Sequence, residues 1–566
     1  MKKFGFKSLV ILTGIALILS SCDVLKDLEY RVTQNPLEMH GDSVRVRVDV
    51  TFPEKGIRKK VSAEVTPMLG DVALKTVTFQ GEKVSGNGTV INFKSGGKYT
   101  YEDVIAYKPS LEVTELKVTA KVFKGKKEKD GAFEDLKIAD GTIITPLLVN
   151  KDFKVILEKD KFARVTEQKV FAQINYERGK AIVRPAELKD NDIVSLVEWL
   201  KTAQSNPKIA IKAVNITAYA SPEGEENKNN TLSTDRAEAA KNATMDLSKK
   251  SKLKVLETVS FNLNGRGEDY EGFKKELKTS SMNEDEKNLV IRVLEMHSDP
   301  VKRETEMQNM GKTFEYLDEN IFPKLRRAEI SIVYDLTGYT DEELINLSKS
   351  NPEALNIEEL LYSATLTNDL NTKLQIYSAA QKKYPEDART HNNVGALMYM
   401  QNKTSEAKTH FEKANGLAEN AIHKNNLGAC AGVAGDRSTA NQLFTQAKGA
   451  GSEVGYNMGI IMIMAGKYAE AVSNFGADAS YNKALAEILN NSIDNAVKTL
   501  DKSTDKETAQ GYYLKAVATA RQNNVDATVN YLKNAFSKDA SLKVKASKDR
   551  EFLKFAENAT FTGIVK

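Results

Sequence analysis

The stretch NITAYASPEGEENKNNTLSTDRAEAAKNA, residues 215–243, decides the centre of this chain. Its opening residues complete an alternating apolar run, Ile209–Tyr219, that reads as a strand. Pro222-Glu223-Gly224 reads as a turn, because proline fixes one backbone angle and glycine relieves the next. Upstream, Lys169–Tyr176 (KVFAQINY) reads as another strand. Asp190–Ala203 reads as an amphipathic helix with Ile193, Val194, Leu196, Val197 and Leu200 on its apolar face. From about 163 the chain therefore alternates strands and helices, the pattern of an α/β domain.

The same stretch resembles the OmpA-like peptidoglycan-associating domain. That family has a strand, a Gly-His-Thr-Asp turn, a glycine three residues on, Asn-x-x-Leu-Ser, and Arg-Ala. Here the glycine is Gly224, Asn-x-x-Leu-Ser runs from Asn229 to Ser233, and Arg-Ala is Arg236-Ala237. LNGRGED (Leu263–Asp269) looks like the family's Gly-x-Gly-Glu strand, and LRRAEISIVY (Leu325–Tyr334) like its closing strand. The resemblance covers about 163–337 and implies a β/α sandwich, with a helical insertion at about 270–322 that the basic domain lacks.

In that family a turn aspartate pairs with the ammonium of diaminopimelate and the helix arginine with its carboxylate. A zwitterionic group wants one anion and one fork-shaped cation at a fixed separation. Carried over by position, Arg236 and Asn229 are retained, while Ser221 stands where the aspartate would be, fifteen residues before Arg236. Tyr219 stands at the family's histidine and Leu325 at the asparagine of the closing strand. Serine accepts a hydrogen bond but cannot neutralise an ammonium; Glu223, in the same turn, could supply the charge. Alternatively, Arg236 sits in the first turn of its helix and pairs with Glu223 or Glu225.

N-terminal to this region, Val44, Val46, Val48, Val50 and Phe52 interleave with Arg45, Arg47, Asp49 and Thr51, the period of a half-buried strand. Similar runs at Val61–Thr66, Val72–Gln80, Thr89–Phe93 and Leu111–Phe123 are punctuated by Pro53, Gly70, Gly86-Asn87-Gly88 and Gly96-Gly97. About seven short strands predict an antiparallel, immunoglobulin-like β-sandwich over 31–150. The lysine run around Lys121–Lys129 reads as a solvated hairpin tip, or as a contact for acidic lipid or glycan.

The first residues carry an address. Lys2, Lys3 and Lys7 precede an apolar run, Leu9–Leu19, too short to span a bilayer comfortably. Leu19-Ser20-Ser21-Cys22 resembles a lipoprotein lipobox. The resemblance implies removal of residues 1–21, acylation of Cys22, and a lipidated tether over 22–30. Several acyl chains, at about 0.8 kcal/mol per buried methylene, anchor stably where one is marginal. The expected location is the outer membrane, facing the periplasm, although Asp23 favours the inner membrane under one bacterial sorting rule.

From about 340 to 566 the chain reads as a helical solenoid. Gly395, Ala407, Phe411 and Ala414 recur as Gly428, Ala440, Phe444 and Ala447, then as Gly459, Ala471 and Phe475, at shifts of 33 and 31 residues. Tyr377, Ala380 and Pro385 match one repeat upstream, and more degenerate hairpins follow around Ala496–Leu500 and Ala516–Ala535. This looks like the tetratricopeptide repeat, whose small residues let helices approach and whose aromatic fills the gap between hairpins. Such arrays bind peptides and proteins on their concave face.

Composition closes off other classes. Lysine plus arginine, at 81, nearly balances aspartate plus glutamate, at 77, and the net charge of +4 gives no case for nucleic-acid binding. Cys430, the second of two cysteines, is expected to pack as a small apolar residue. His40, His297, His391, His410 and His423 show no metal-ligand spacing, and the last three are expected at the surface of repeat hairpins. No P-loop, Rossmann glycine pattern or nucleophile–base motif is present, so neither a cofactor nor an enzyme is expected. Two readings remain: a lipoprotein linking the outer membrane to peptidoglycan while its repeats recruit proteins, or an envelope scaffold whose OmpA-like domain has lost the wall ligand.

Overall fold

The computed structural model describes residues 27–129, 133, 135–297 and 299–566. The expected signal segment 1–21 and the expected lipidation position Cys22 lie outside the described residues, and the expected tether 22–30 ends earlier than its bound, because a strand begins at Glu29. The chain forms two compact units. One joins the described residues up to Lys159 with Thr367–Lys566, and the other is Asp160–Leu366. The second is thus inserted, in sequence, into the first.

The first unit begins with two β-sheets sharing one core. In Ser43–Phe52, Val44, Val46, Val48, Val50 and Phe52 are buried while alternate residues face outward, as the period of two requires. This strand pairs antiparallel with Glu29–Val32, Met39–His40 and Gly97–Ala106. The second sheet centres on Val61–Leu69 and Thr114–Lys124, paired antiparallel. Ala63, Leu69, Leu116, Val118 and Val122 meet the first sheet's valines in one cluster. The expected run Val72–Gln80 is two strands, Val72–Ala73 and Val77–Gly81. Val77–Gly81 pairs parallel with Thr89–Ile91, a departure from a purely antiparallel sandwich. Strands Gly97–Ala106 and Leu136–Gly141 had no matching sequence expectation.

The rest of this unit is a helical repeat region. Helix pairs such as Ala388–Met400 with Thr404–Leu417, and Ala421–Val433 with Arg437–Gln446, follow one another to the end of the chain. The recurring glycines have a steric cause. A Cβ at Gly395 would lie 3.0 Å from the Phe411 ring, at Gly428 2.7 Å from Phe444, and at Gly459 2.6 Å from Phe475. Each aromatic therefore fills the space left by the glycine of its partner helix, and all three rings are buried. The sandwich is joined to the array by Arg521, whose Nη2 lies 2.6 Å from Glu38 and 2.5 Å from Glu551. Thr145 donates to the same Glu551.

The second unit is built on a four-stranded sheet in the order Val165–Asn175, Arg327–Thr337, Ile209–Ala220, Ser260–Glu268. The first two pairings are antiparallel and the last is parallel. Helices Asn191–Ser205 and Glu226–Lys250 contribute Ile193, Leu196, Leu200, Ala237 and Ala240 to a core with Ile174, Val214, Ile216, Ile330 and Ile332. The inserted segment forms short helices between Tyr270 and Leu325 with a separate core around Phe273, Leu277, Val290, Leu317 and Phe322. Helices Asp341–Ser350 and Ile357–Ser363, expected to open the repeat array at 340, belong to this unit instead. Capping boxes Thr340/Glu343 and Asn356/Glu359 start them.

Candidate functional site

The strand Ile209–Ala220 ends at the turn that carries the expected ligand-binding residues, and Gly224 adopts φ +116, a conformation that favours glycine. Ser221, Glu223, Asn229 and Arg236 all line one open cleft of about 590 Å³, together with Arg178 and Asp235. The four sequence-selected residues are thus brought together. Their charges are already answered from within.

Arg236 does not sit in the first turn of its helix, which starts at Glu226. It lies in the third turn, 1% exposed. Its Nη1 donates to the Tyr219 carbonyl at 2.8 Å, its Nε to Lys180 at 3.0 Å and its Nη2 to Glu177 at 3.2 Å. The guanidinium also lies over the Tyr176 ring. Burial lowers its pKa to about 10. The fork expected to hold a ligand carboxylate, or to pair with Glu223 or Glu225, instead ties down three backbone carbonyls.

Glu223 is equally engaged. Arg326 Nη2 lies 2.7 Å from its Oε1, and Arg326 Nε donates to Ser221 Oγ at 3.2 Å. Asp318, on an insertion helix, reaches both Arg326, at 3.1 Å, and Arg178, at 3.3 Å. Burial pushes the Glu223 carboxyl above its ordinary range, against the lowering pull of Ser221 and Arg326. Its other oxygen, Oε2, is buried without a hydrogen-bond partner among the described residues. Asn229 donates to the Ser221 carbonyl at 3.2 Å and to Glu268 at 2.9 Å, so it staples the turn to the neighbouring strand. Sequence reasoning missed Arg326, Arg178 and Asp318; the doubled arginine of LRRAE was the available signal for the first.

A second site lies in the first unit. Residues 150–158 form neither helix nor strand and run along the first helices of successive repeats. Four asparagines grip this strap by its main chain, each accepting from an N–H and donating to the carbonyl of the same residue. Asn393 holds Glu158, at 2.8 and 2.9 Å. Asn426 holds Ile156 and Asn457 holds Lys154, each at 2.7 and 2.8 Å. Asn482 holds Asn150, at 2.9 and 2.8 Å. Asn392 and Asn425 donate to the carbonyls of Ile156 and Lys154 and accept from Asn426 and Asn457. All six amides are fully buried, and each is satisfied by the strap or by another asparagine.

Side chains of the strap add further contacts. Phe153, 3% exposed, stacks on Phe444 and rests over Gly432, where a Cβ would meet the ring at 2.7 Å. Val155 and Leu157 pack against Phe411 and its neighbours. Asp152 accepts from the Tyr456 hydroxyl at 2.8 Å. Glu158 meets His423 Nε2 at 2.8 Å and accepts from Asn420 at 2.8 Å. His423 is therefore fully buried, not at the surface as expected, because its helix faces the strap; His391 and His410 are half-buried around Gln381. The sequence signal was an asparagine two residues before each repeat glycine: Asn393/Gly395, Asn426/Gly428 and Asn457/Gly459.

Among the described residues no group of three or more His, Cys, Asp or Glu side chains could hold a metal ion, and no helix is long and apolar enough to cross a membrane. No family model matches the chain. No curated protein matches it either. Among solved structures, a tetratricopeptide repeat protein from Parabacteroides merdae ATCC 43184 is 17% identical, over 37% of this chain and 90% of that one, at a TM-score of 0.28. YrrB, described as a tetratricopeptide protein with an unusual peptide-binding site, is 21% identical over 37% of this chain and 100% of that one, at 0.22. Yeast Tom70 is 13% identical over 66% and 92%, at 0.26. At such scores the helical-repeat description rests on this chain's own hairpins.

Proposed function

We propose that this chain is a non-enzymatic, lipid-anchored scaffold of a Gram-negative cell envelope, with an OmpA-like central domain that does not hold the wall peptide as that family does, and a tetratricopeptide-type array that engages proteins. The observation that carries the reading is that the cleft's charged side chains are already engaged from within. Arg236 donates to three carbonyls, and Arg326 occupies the partner position of Glu223. A ligand carboxylate would have to displace backbone acceptors, and a ligand ammonium would have to compete with a buried guanidinium. The sheet order and the motif spacing support the OmpA-like assignment, and the lipobox at Cys22 supports the anchor. The test is co-sedimentation of the mature full-length chain with insoluble peptidoglycan sacculi, where retention no greater than that of a soluble control is expected. Labelling with a clickable fatty acid tests the anchor: Cys22→Ala should abolish incorporation, and equal labelling of the variant would remove the lipoprotein assignment.

One observation favours the wall-linking alternative. Glu223 Oε2 is buried at the cleft without a partner among the described residues, and an ammonium arriving there would satisfy it. Sacculus retention that Glu223→Gln abolishes and Ser221→Asp strengthens would establish this alternative over the scaffold reading.

A further inference from the structure

We propose that the asparagine row of the repeat array is a binding site for extended peptide, and that residues 150–158 are its built-in occupant, closing the array to other peptides until the strap is displaced. This deepens the scaffold reading by naming what the array would take and what guards it. The ligand class follows from the contacts. Bidentate amide bonds at Asn393, Asn426, Asn457 and Asn482 address only main-chain N–H and C=O, so these bonds exclude proline and set no other side-chain preference. The alternation along the strap is the two-residue period of an extended chain. Selectivity enters at the intervening positions: an aromatic in the Phe153 place over Gly432, and aliphatic residues in the places of Val155 and Leu157. A carboxylate in the Glu158 place meets His423 and Asn420. The competing partner is therefore an extended segment with apolar side chains at alternate positions, ending in an acidic residue.

The closure has a simple physical basis. A segment tethered to its site is present at an effective concentration on the order of millimolar, so micromolar free peptide of equal intrinsic affinity cannot compete. Once the strap is disabled, the same peptide should bind.

The experiment uses the full-length chain and a fluorescent peptide of residues 149–159. In one variant, Phe153→Ser removes the buried ring and Ile156→Pro removes the N–H that Asn426 accepts. Anisotropy titration should show the peptide binding this variant at least tenfold more tightly than the unaltered chain. Adding Gly432→Val, which fills the ring's place, should abolish the gain. A folded strap variant that fails to bind, equal binding by the unaltered chain, or binding indifferent to Gly432→Val would each overturn the proposal. Should the strap variant not fold, amide exchange in the unaltered chain decides. Exchange at Lys154, Ile156 and Glu158 as slow as in helix Ala421–Val433 supports an occupied site, and exchange at the free-peptide rate overturns it. Sacculus retention plays no part in these readouts, so this proposal and the scaffold reading fail separately.

Discussion

Arg326 donates to both Ser221 Oγ and Glu223 Oε1, the two side chains that a ligand ammonium would be expected to meet. The residue just before the closing strand thus supplies, from inside the protein, the cation that the turn would otherwise take from outside. Breaking such a buried pair from one side is costly because the remaining charge is uncompensated, by about 3–5 kcal/mol. Arg326→Ala should destabilise the second unit by that amount. Trp199, the single tryptophan of the chain, packs against Tyr334 in this unit and reports it by fluorescence. Combining Arg326→Met with Glu223→Leu should cost clearly less than the two substitutions summed. Strict additivity would show that the two side chains are not coupled.

Arg236→Ala should also unfold this unit more readily. Three carbonyls lose the Arg236 donor at once; the Glu177 carbonyl keeps the Lys180 N–H, and an acceptor left alone where water does not reach it costs roughly 1–3 kcal/mol. A loss of about 1–3 kcal/mol in Trp199-monitored urea unfolding is expected. Arg236→Lys should recover only part of it, because one ammonium cannot reach acceptors spread around a planar fork. An unchanged midpoint would mean that these carbonyls find other partners.

In the array, Phe444→Ala and Phe411→Ala should each cost about 3–5 kcal/mol, the usual range for a buried phenylalanine. Phe444 should be the worse loss, since it also stacks on Phe153. Glycines discriminate further. Gly428→Ala would place a methyl 2.7 Å from the Phe444 ring and should destabilise, whereas Gly416, in a helix with nothing near its Cβ direction, should gain up to about 1 kcal/mol as alanine. Helical circular dichroism melts of the full chain, scored on the array transition, separate these outcomes.

Much of this architecture was legible in the sequence, and the reasons are local. The valines of Ser43–Phe52 alternate strictly because one face meets a core, and the glycine–phenylalanine pairs recur because each closes one hairpin. Arg236 was legible as a position but not in its role. Which way a mid-helix arginine points depends on where the carbonyls of Glu177, Lys180 and Tyr219 end up, and spacing does not encode that. The strap was harder still. Its apolar alternation covers only Phe153, Val155 and Leu157, and its asparagine partners lie hundreds of residues downstream. A buried asparagine repeating with the array marked the receiving side alone.

Cys430 offers a chemical check on the packing. Burial raises its thiol from the ordinary 9.0 to about 12. At pH 8 the reactive thiolate should then be scarcer by about three orders of magnitude, and alkylation slower in proportion. Iodoacetamide followed by mass spectrometry should label Cys430 only after denaturation. Rapid labelling of the folded chain would contradict its burial between helices.

The strap also sets an order of events during synthesis. Its amide contacts join residues 235 to 332 positions apart in the chain. A chain emerging N-terminus first, at about 5–20 residues per second, leaves residues 150–158 without their asparagines for on the order of ten seconds to a minute. The whole inserted unit is made in that interval and can close on its own local contacts. The array cannot complete its helix-lined face until a segment finished long before is threaded back onto it. Contacts of such sequence separation are slow to form, because loop-closure entropy must be overcome before they reward it. Until then Phe153, Val155 and Leu157 stand as a short apolar stretch in solvent, the kind of segment that holding chaperones recognise and that aggregates when they are absent. Maturation of this chain should therefore be limited by the docking of nine residues rather than by either β-sheet.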